Sequence, residues 1–379
     1  MTRESIVSAM NQSSYATRLS EYINAMLPDA HGHQRKAIFD FVIALVAVQS
    51  CCQAKLARFF GNQEAALKRL ARWLRNERLD VAELALATAR AIVAQLPLTG
   101  PVRLAIDWTI EDTQHLLVAS LMVGRRAVPL FWRAYRESEL KDRRSGYERE
   151  FICTLVTEVL CEVSPRRQIM TADRAFADVE FFDLLNDLGV SFVIRSKGSV
   201  KVLGEGGWRK LSTLRLRGNT RRRTLGRLFY CESDPRRQYV AQCRARDRKG
   251  QWGIWHLVSN RPLSPLVMMK EYARRFGCEE GFRDAKWMLG FGQARIKCLK
   301  AWARMFTLVA LALTVLVGVG CGLLADSQRL QEQLRRITSR RRGRAELSLV
   351  RAVAESLKSE MSLWELLNHQ AKLNLEASL

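Results

Sequence analysis

The chain has 379 residues, of which 61 are Lys or Arg and 38 are Asp or Glu, so its formal net charge is +23. This length excludes a small disulfide-stapled scaffold and allows two or three domains. The basic excess favours a polyanionic partner, and nucleic acid is the first candidate. Nine cysteines occur without a Cys-x-x-Cys pair or a neighbouring His cluster, so the sequence predicts neither a disulfide framework nor a zinc site.

The first hundred residues predict a helical DNA-binding region. Residues 1–27 lack the apolar core of a signal peptide, so we expect a cytoplasmic, nucleoid-associated protein. Apolar residues recur at helical spacing over residues 33–76 and predict three helices. Gly61 and Asn62 supply a turn and an N-cap before the third helix, a layout typical of a helix-turn-helix. The basic side of that helix is either a solvated face or a DNA contact formed by Lys68, Arg69 and Arg72.

A Pro- and Gly-containing boundary at residues 97–101 separates this region from a predicted α/β core. Three strands are predicted at 102–108, 115–123 and 127–135, then a helix at 146–161, a strand at 168–172, a helix at 178–188 and a strand at 190–195. This order is that of the ribonuclease H fold, whose first and fourth strands are adjacent. Asp107 and Asp173, which come at the ends of those two strands, are therefore expected to be neighbours. A single aspartate after a strand is most often a turn or cap residue, so the two must be judged together with the helix at residues 272–286.

A basic, β-rich insertion is predicted at 197–258. Residues 195–249 contain 17 Lys or Arg and 4 Asp or Glu. Such a density suits a surface that tracks phosphates and binds them in a salt-sensitive way. The last strand of the insertion carries Trp255.

The most specific pattern lies at residues 272–286 and predicts an amphipathic helix. At about 100° per residue, Tyr272, Arg275, Glu279 and Lys286 fall within roughly a 60° arc. Glu280 points about 80° away from Tyr272. The face therefore gathers a hydroxyl, two cations and one carboxylate, although a solvated charged face is the ordinary alternative.

Residues 305–325 contain no charge and are long enough to span a membrane. Basic residues stand on both sides, so no orientation is indicated. Because the run closely follows the helix predicted at 272–286, we favour a buried core helix and expect no membrane association. Beyond residue 326 the chain is basic and helical, and it could bind DNA or a second subunit.

The spacing Tyr-x2-Arg-x3-Glu-x6-Lys, with two aspartates upstream, resembles the signature of bacterial DDE transposases of the insertion-sequence-four group. Residues 172–176 and 192–197 also resemble that group, and the similarity covers about residues 100–200 and 255–325. It implies an α/β protein with a ribonuclease H-like core, a mixed five-stranded sheet flanked by helices. The implied regions are an N-terminal helical region at 1–100, the core at 101–196 and 259–325, the insertion at 197–258 and a C-terminal helical region at 326–379.

The resemblance implies cleavage at the ends of an insertion sequence and strand transfer into target DNA by a homodimer in a synaptic complex. Asp107, Asp173 and Glu279 would be the catalytic residues and the ligands of two Mg²⁺ or Mn²⁺ ions, cations that prefer oxygen ligands. The side chains implied to contact DNA are Tyr272, Arg275, Lys286 and Trp255. Trp255 would stack on an extruded base, with a buried core position as the alternative.

Two other functions are compatible with the sequence. One is a ribonuclease H-like nuclease or resolvase that cuts without strand transfer. The other is a non-catalytic DNA-binding regulator derived from a transposase.

Overall fold

The computed structural model describes residues 14–28, 30–124, 126–216, 218–246, 251–326, 340–341, 344–345 and 349–356. Among these described residues, five helices precede the first strand. They are α1 Ser14–Met26, α2 Gly32–Val48, α3 Gln53–Ala57, α4 Gln63–Leu74 and α5 Val81–Val93. The three helices predicted over residues 33–76 are confirmed. Asn62 caps α4, because its side chain accepts a hydrogen bond from the backbone N–H of Ala65 at 3.0 Å.

A mixed sheet forms the centre of the protein. Its first five strands are β1 Val102–Glu111, β2 Gln114–Val123, β3 Arg126–Arg136, β4 Gln168–Ala172 and β5 Ser191–Ser196. In space they are ordered β3-β2-β1-β4-β5, with β1, β4 and β5 parallel. Strand β2 is buried along its whole length and β1 is buried over residues 104–106, which explains their apolar runs. The expected adjacency of the first and fourth strands is therefore present.

Within the described residues the sheet has ten strands, whereas the resemblance implied a five-stranded core sheet. Strands β6 Lys201–Gly204, β7 Gly207–Lys210, β8 Arg222–Tyr230, β9 Arg236–Arg246 and β10 Trp252–Ser259 come from the insertion. They extend the order as β5-β10-β9-β8-β6-β7. Strand β10 pairs with β5 in antiparallel register, with His256 opposite Ser196. The insertion thus pairs with an edge that would otherwise be exposed, and it joins the same sheet.

Helices connect and cover the first five strands. They are α6 Glu137–Leu140, α7 Arg144–Thr154 and α8 Val179–Asp187. Helix α7 continues as a π-helical turn over Leu155–Val159, so the helix predicted at 146–161 is present with a widened end. The signature stretch forms α9 Pro265–Arg274 and α10 Phe276–Arg283, and a π-helical turn at Asp284–Met288 comes directly after them.

Helix α11, Leu299–Asp326, packs against β3 and α2. By length and composition its segment Leu299–Gly318 could cross a membrane. However, 89% of the most apolar 18-residue stretch in this segment is buried inside the protein. This burial agrees with the core-helix interpretation. Beyond it, the described parts of the chain are the short strands β11 Arg340–Arg341 and β12 Arg344–Ala345 and the helix α12 Leu349–Ser356, which packs against α11. The remainder of the basic region predicted at 326–379 lies outside the described residues.

Candidate active site

Two carboxylates stand at the ends of neighbouring parallel strands. Ile106 of β1 pairs with Ala172 of β4, so Asp107 and Asp173 come one step later on strands about 4.8 Å apart. Asp107 accepts a hydrogen bond from the backbone N–H of Trp108 at 2.9 Å. Asp173 accepts one from the backbone N–H of Arg174 at 2.5 Å. Each carboxylate is thus held by the backbone N–H of the next residue in the chain.

A buried guanidinium joins the first of these carboxylates to the signature helix. Arg275 is 4% exposed. Its Nη1 donates to Asp107 Oδ2 at 2.7 Å, and its Nη2 donates to Glu279 Oε1 at 2.5 Å. Glu280 instead pairs with Arg126 on β3 at 2.9 Å. The angular separation predicted for the two glutamates is therefore present, and Glu279 is the one that faces Asp107.

The electrostatics show how closely these groups are placed. Burial, with smaller contributions from Asp173 and Glu279, raises the pKa of Asp107 to about 6, although Arg275 and the Trp108 N–H act to lower it. Burial alone would lower the pKa of Arg275, but Tyr272, Asp107, Glu279 and Asp173 raise it overall. The three carboxylates and Arg275 therefore form one interacting charge cluster, with more negative than positive groups.

Residues 143–315 match the family model for the transposase DDE domain. The match supports a DDE transposase. The matched segment includes Asp173 and the signature helices, whereas Asp107 lies outside it. No curated protein matches the chain.

The signature stretch is divided at Arg275, which itself keeps helical angles of φ −51° and ψ −30°. Helix α9 ends at Arg274, α10 begins at Phe276, and Arg275 lies at the junction. Gly281 allows α10 to approach the sheet, since a Cβ there would come within 3.2 Å of the Ala127 carbonyl oxygen. Lys286 lies in the π-helical turn after α10, and its Nζ donates to the Ile110 carbonyl and lies 3.5 Å from Glu111 Oε2. Lys286 therefore contacts the end of β1.

Two aromatic residues predicted to contact DNA lie beneath the site. Tyr272 is 1% exposed and Trp255 is 7% exposed, and their rings meet edge to face at 5.1 Å. Burial raises the pKa of Tyr272, which stabilises its neutral hydroxyl. The alternative of a core position for Trp255 is the one that the structure adopts, because the strand face that carries Trp255 is covered by α9. Neither ring is presented to a base as the molecule stands.

The predicted basic face of α4 is divided between the surface and the interior. Lys68 and Arg72 are exposed. Arg69 lies 2.9 Å from Asp40 and stacks on the rings of Phe41 and Phe60. The helical repeat places Arg69 toward α2, where it is half-buried, and its contact with DNA stays a prediction.

The DDE transposase family generally uses divalent metal ions. Within the described part of the chain, no three His, Cys, Asp or Glu side chains are gathered closely enough to form a ready metal cluster. The guanidinium of Arg275 lies between Asp107 and Glu279. The donor set nevertheless fits Mg²⁺ or Mn²⁺, because it consists of carboxylate oxygens whose negative charge exceeds that of their single cationic partner.

Arg195 is a site residue to which the sequence assigned no role. Ala172 pairs with Ile194, so Asp107, Asp173 and Arg195 lie at one level on three adjacent parallel strands. Its guanidinium lies 5.9 Å from the centre of the Trp255 ring. The signal that could have identified it is a basic residue at the end of the strand after Asp173.

Proposed function

We propose that the protein is a DNA transposase that cuts at the ends of an insertion sequence and transfers the freed strand into target DNA. One observation carries the proposal: Arg275 joins Asp107 to Glu279, beside Asp173, in a chain whose residues 143–315 match a transposase DDE domain. An ordinary ion pair at the surface stays exposed to solvent, whereas this guanidinium is buried among three carboxylates.

In this proposal Asp107, Asp173 and Glu279 hold two Mg²⁺ or Mn²⁺ ions. Bound metal of this kind activates a water and stabilises the leaving oxygen in in-line attack on a phosphodiester. The sheet fixes the two aspartates, and α10 brings the glutamate. Hydrolysis and strand transfer need the same arrangement, since both replace one oxygen at phosphorus by another.

The cations have separate tasks in the proposed reaction. Arg275 orients two of the carboxylates and limits their mutual repulsion, with Tyr272 packed against it at 5.5 Å. Arg195 stands at the same level on the next strand and is placed to meet a phosphate as a planar fork. Lys286 fixes the end of β1, and its amino group is close enough to the strand end to approach a phosphate.

Several finer features belong to the same proposal. The strand order β3-β2-β1-β4-β5 supports a ribonuclease H-like core. The Tyr-Arg-Glu-Lys spacing supports the insertion-sequence-four group. We also propose that a homodimer holds the two element ends in a synaptic complex, that exposed Lys68 and Arg72 contact DNA, and that the protein acts in the cytoplasm at the nucleoid.

The test is cleavage of a plasmid carrying candidate element ends with Mg²⁺, by the unaltered protein, Glu279→Gln and Glu280→Gln. We expect Glu279→Gln to lower the rate by at least about 100-fold, because a ligand is lost, and Glu280→Gln to retain most of the rate, because an amide can still accept from Arg126. Chelation of the metal should stop cleavage in all three. Equal activity of both variants would contradict the carboxylate site.

The joining of labelled ends to a second DNA molecule separates transposition from simple cutting. Cleavage without joining would favour a ribonuclease H-like nuclease or resolvase. DNA binding without either reaction would favour a regulator derived from a transposase.

A further inference from the structure

Two arginines of the insertion lie against aromatic rings on adjacent strands. The guanidinium carbon of Arg237 on β9 lies 4.8 Å from the centre of the Phe229 ring on β8. The guanidinium carbon of Arg227 on β8 lies 5.7 Å from the centre of the Tyr239 ring on β9. Both arginines are exposed. We call these four residues the arginine face.

The strand register identifies the side of the sheet on which they lie. Phe229 is opposite Arg237, and Arg227 is opposite Tyr239. Alternate residues of β9 share a side, so Arg237 and Tyr239 lie on the same side as Cys243. The Cys243 thiol contacts the carbonyl of Pro265 at the start of α9, 3.3 Å away. The arginine face is therefore on the side of the sheet that also carries the signature helices.

The neighbouring arginine, on the opposite side of the same strand, has a different environment. Arg236 lies 2.9 Å from Asp183 and 2.5 Å from Asp234. Among the described residues, no carboxylate is paired with Arg227 or Arg237. Arg236, on one side of the sheet, therefore has acidic partners, whereas Arg227 and Arg237, on the other side, have none among the described residues. An intramolecular role in folding explains Arg236 and does not explain the arginine face.

The arginine face belongs to the same rigid sheet as the carboxylates. Level with Asp173, the strands pass through Arg195, Leu257, Ala241 and Thr224. Four strand spacings separate β4 from β8, or about 19 Å, and the arginine face lies two to four residues, or about 7–13 Å, further along β8 and β9. A double helix that has one phosphodiester at Asp107 and Asp173 is wide and long enough to reach β8 without a movement of the sheet.

We propose that the arginine face binds the sugar-phosphate backbone of double-stranded DNA beside the cleavage site. The identity of the partner rests on the proposed function. Guanidinium groups suit phosphate oxygens, and stacking on a ring holds each group in place before DNA arrives. Contacts of this type fix the register of the duplex without reading its sequence. The affinity they supply is salt-dependent and independent of catalysis.

The test compares adjacent residues of β9. Binding of a labelled duplex of arbitrary sequence is measured by fluorescence anisotropy over a series of salt concentrations. The proteins are the unaltered chain, Arg227→Ala/Arg237→Ala, and Arg236→Ala as the control of equal charge type. Two lost phosphate contacts should reduce the slope of log Kd against log salt by about 1.8, whereas Arg236→Ala should leave it unchanged. Thermal unfolding of each variant establishes that it is folded.

An unchanged slope in the double variant would overturn the proposal. The proposal would also be overturned if Arg236→Ala reduced the slope by as much per arginine as the double variant does. The effect would then reflect net charge alone. Phe229→Leu gives a second measurement, because it removes the ring and keeps both charges. Phe229→Leu should weaken binding, but it should change the slope by less than the amount that one lost phosphate contact causes, about 0.9. DNA binding is measured without cleavage and does not depend on Glu279. A negative cleavage test would therefore contradict the proposed function without deciding whether the arginine face binds DNA.

Discussion

At the scale of single residues, Arg275 determines how the candidate carboxylates are arranged. It contacts Asp107 and Glu279 at once, although Asp107 is 168 residues away in the chain. Removal of one member of such a buried group leaves an uncompensated charge, which typically costs about 3–5 kcal/mol. The side chains therefore act as a unit, and substitution of any one of them affects the others.

A pH-dependent stability is predicted for His256, which is 7% exposed on β10. Burial, and to a smaller extent the charge of Arg195, lowers its pKa from 6.5 to about 4. Because the folded pKa is depressed, the folded state favours the neutral ring. The contribution of the neutral ring to the free energy of unfolding is fully present above pH 6.5. It is lost as the pH falls through 4, by about 2 kcal/mol after allowance for solvent screening.

The measurement is urea unfolding of the unaltered protein and of His256→Gln between pH 7 and pH 4. The variant should lose less stability over this window. The pKa of the buried His115 is lowered in the same direction, so some pH dependence should persist. His31→Gln, at an exposed position, is the control and should reproduce the unaltered curve. Identical curves for His256→Gln and the unaltered chain would refute the prediction.

At the scale of elements, the break between α9 and α10 lets the signature serve two surfaces. Helix α9 is tied to β1 by Glu271, whose carboxylate lies 2.8 Å from Arg103. Helix α10 is tied to β3 by the pair of Glu280 and Arg126. The junction at Arg275 lies between these anchors and faces the carboxylates.

Gly281→Ala tests how closely α10 must approach β3. A Cβ at Gly281 would come within 3.2 Å of a backbone oxygen, so the helix must shift. We expect a loss of about 1 kcal/mol in unfolding free energy, in spite of the better helix propensity of Ala. Cleavage activity should fall even under conditions in which the variant is fully folded, because Glu279 moves with the helix.

The matched control for this change is Gly146→Ala in α7, where nothing lies within 4 Å of the added Cβ. It should raise the unfolding free energy by about 0.5–1 kcal/mol. Both changes are measured by urea unfolding monitored by circular dichroism. A stabilised, fully active Gly281→Ala protein would show that the close approach is not needed.

At the scale of the whole molecule, α11 connects the N-terminal helices to the sheet. It packs against β3 on one side and against α2, α4 and α5 on the other. Arg304 extends from this helix and is 2% exposed. It donates to the carbonyl of Leu74 at 2.8 Å and to that of Leu79 at 2.9 Å. A charged residue thus completes the hydrogen bonding of the end of α4.

Arg304→Met should detach this end of the N-terminal region. One buried and one half-buried carbonyl would lose their donors, so we expect a loss of about 2–4 kcal/mol in unfolding free energy. Hydrogen exchange should accelerate most in the last turn of α4. Lys300→Met, at an exposed position of the same helix, is the control and should change stability by less than about 0.5 kcal/mol. Equal effects of the two variants would contradict the anchoring role.

The sequence by itself determined the order of the elements and the identity of the carboxylates. Strand endings at Asp107 and Asp173 are set by local apolar runs, and the choice of Glu279 over Glu280 is set by helical geometry, because these are short-range properties. The roles of these residues in catalysis remain predictions. Apolar length alone also left two environments for the run at 305–325, and burial against β3 and α2 favours the core.

Only the tertiary structure decided which side chains face outward. Trp255 and Arg69 carry residue types that suit DNA contacts, yet Trp255 is buried under α9 and Arg69 is half-buried against α2. The extension of the sheet from five strands to ten depends on the pairing of β10 with β5, whose central residues are about sixty positions apart. Burial and long-range pairing arise from contacts between distant segments, and local spacing carries no information about which segments will meet.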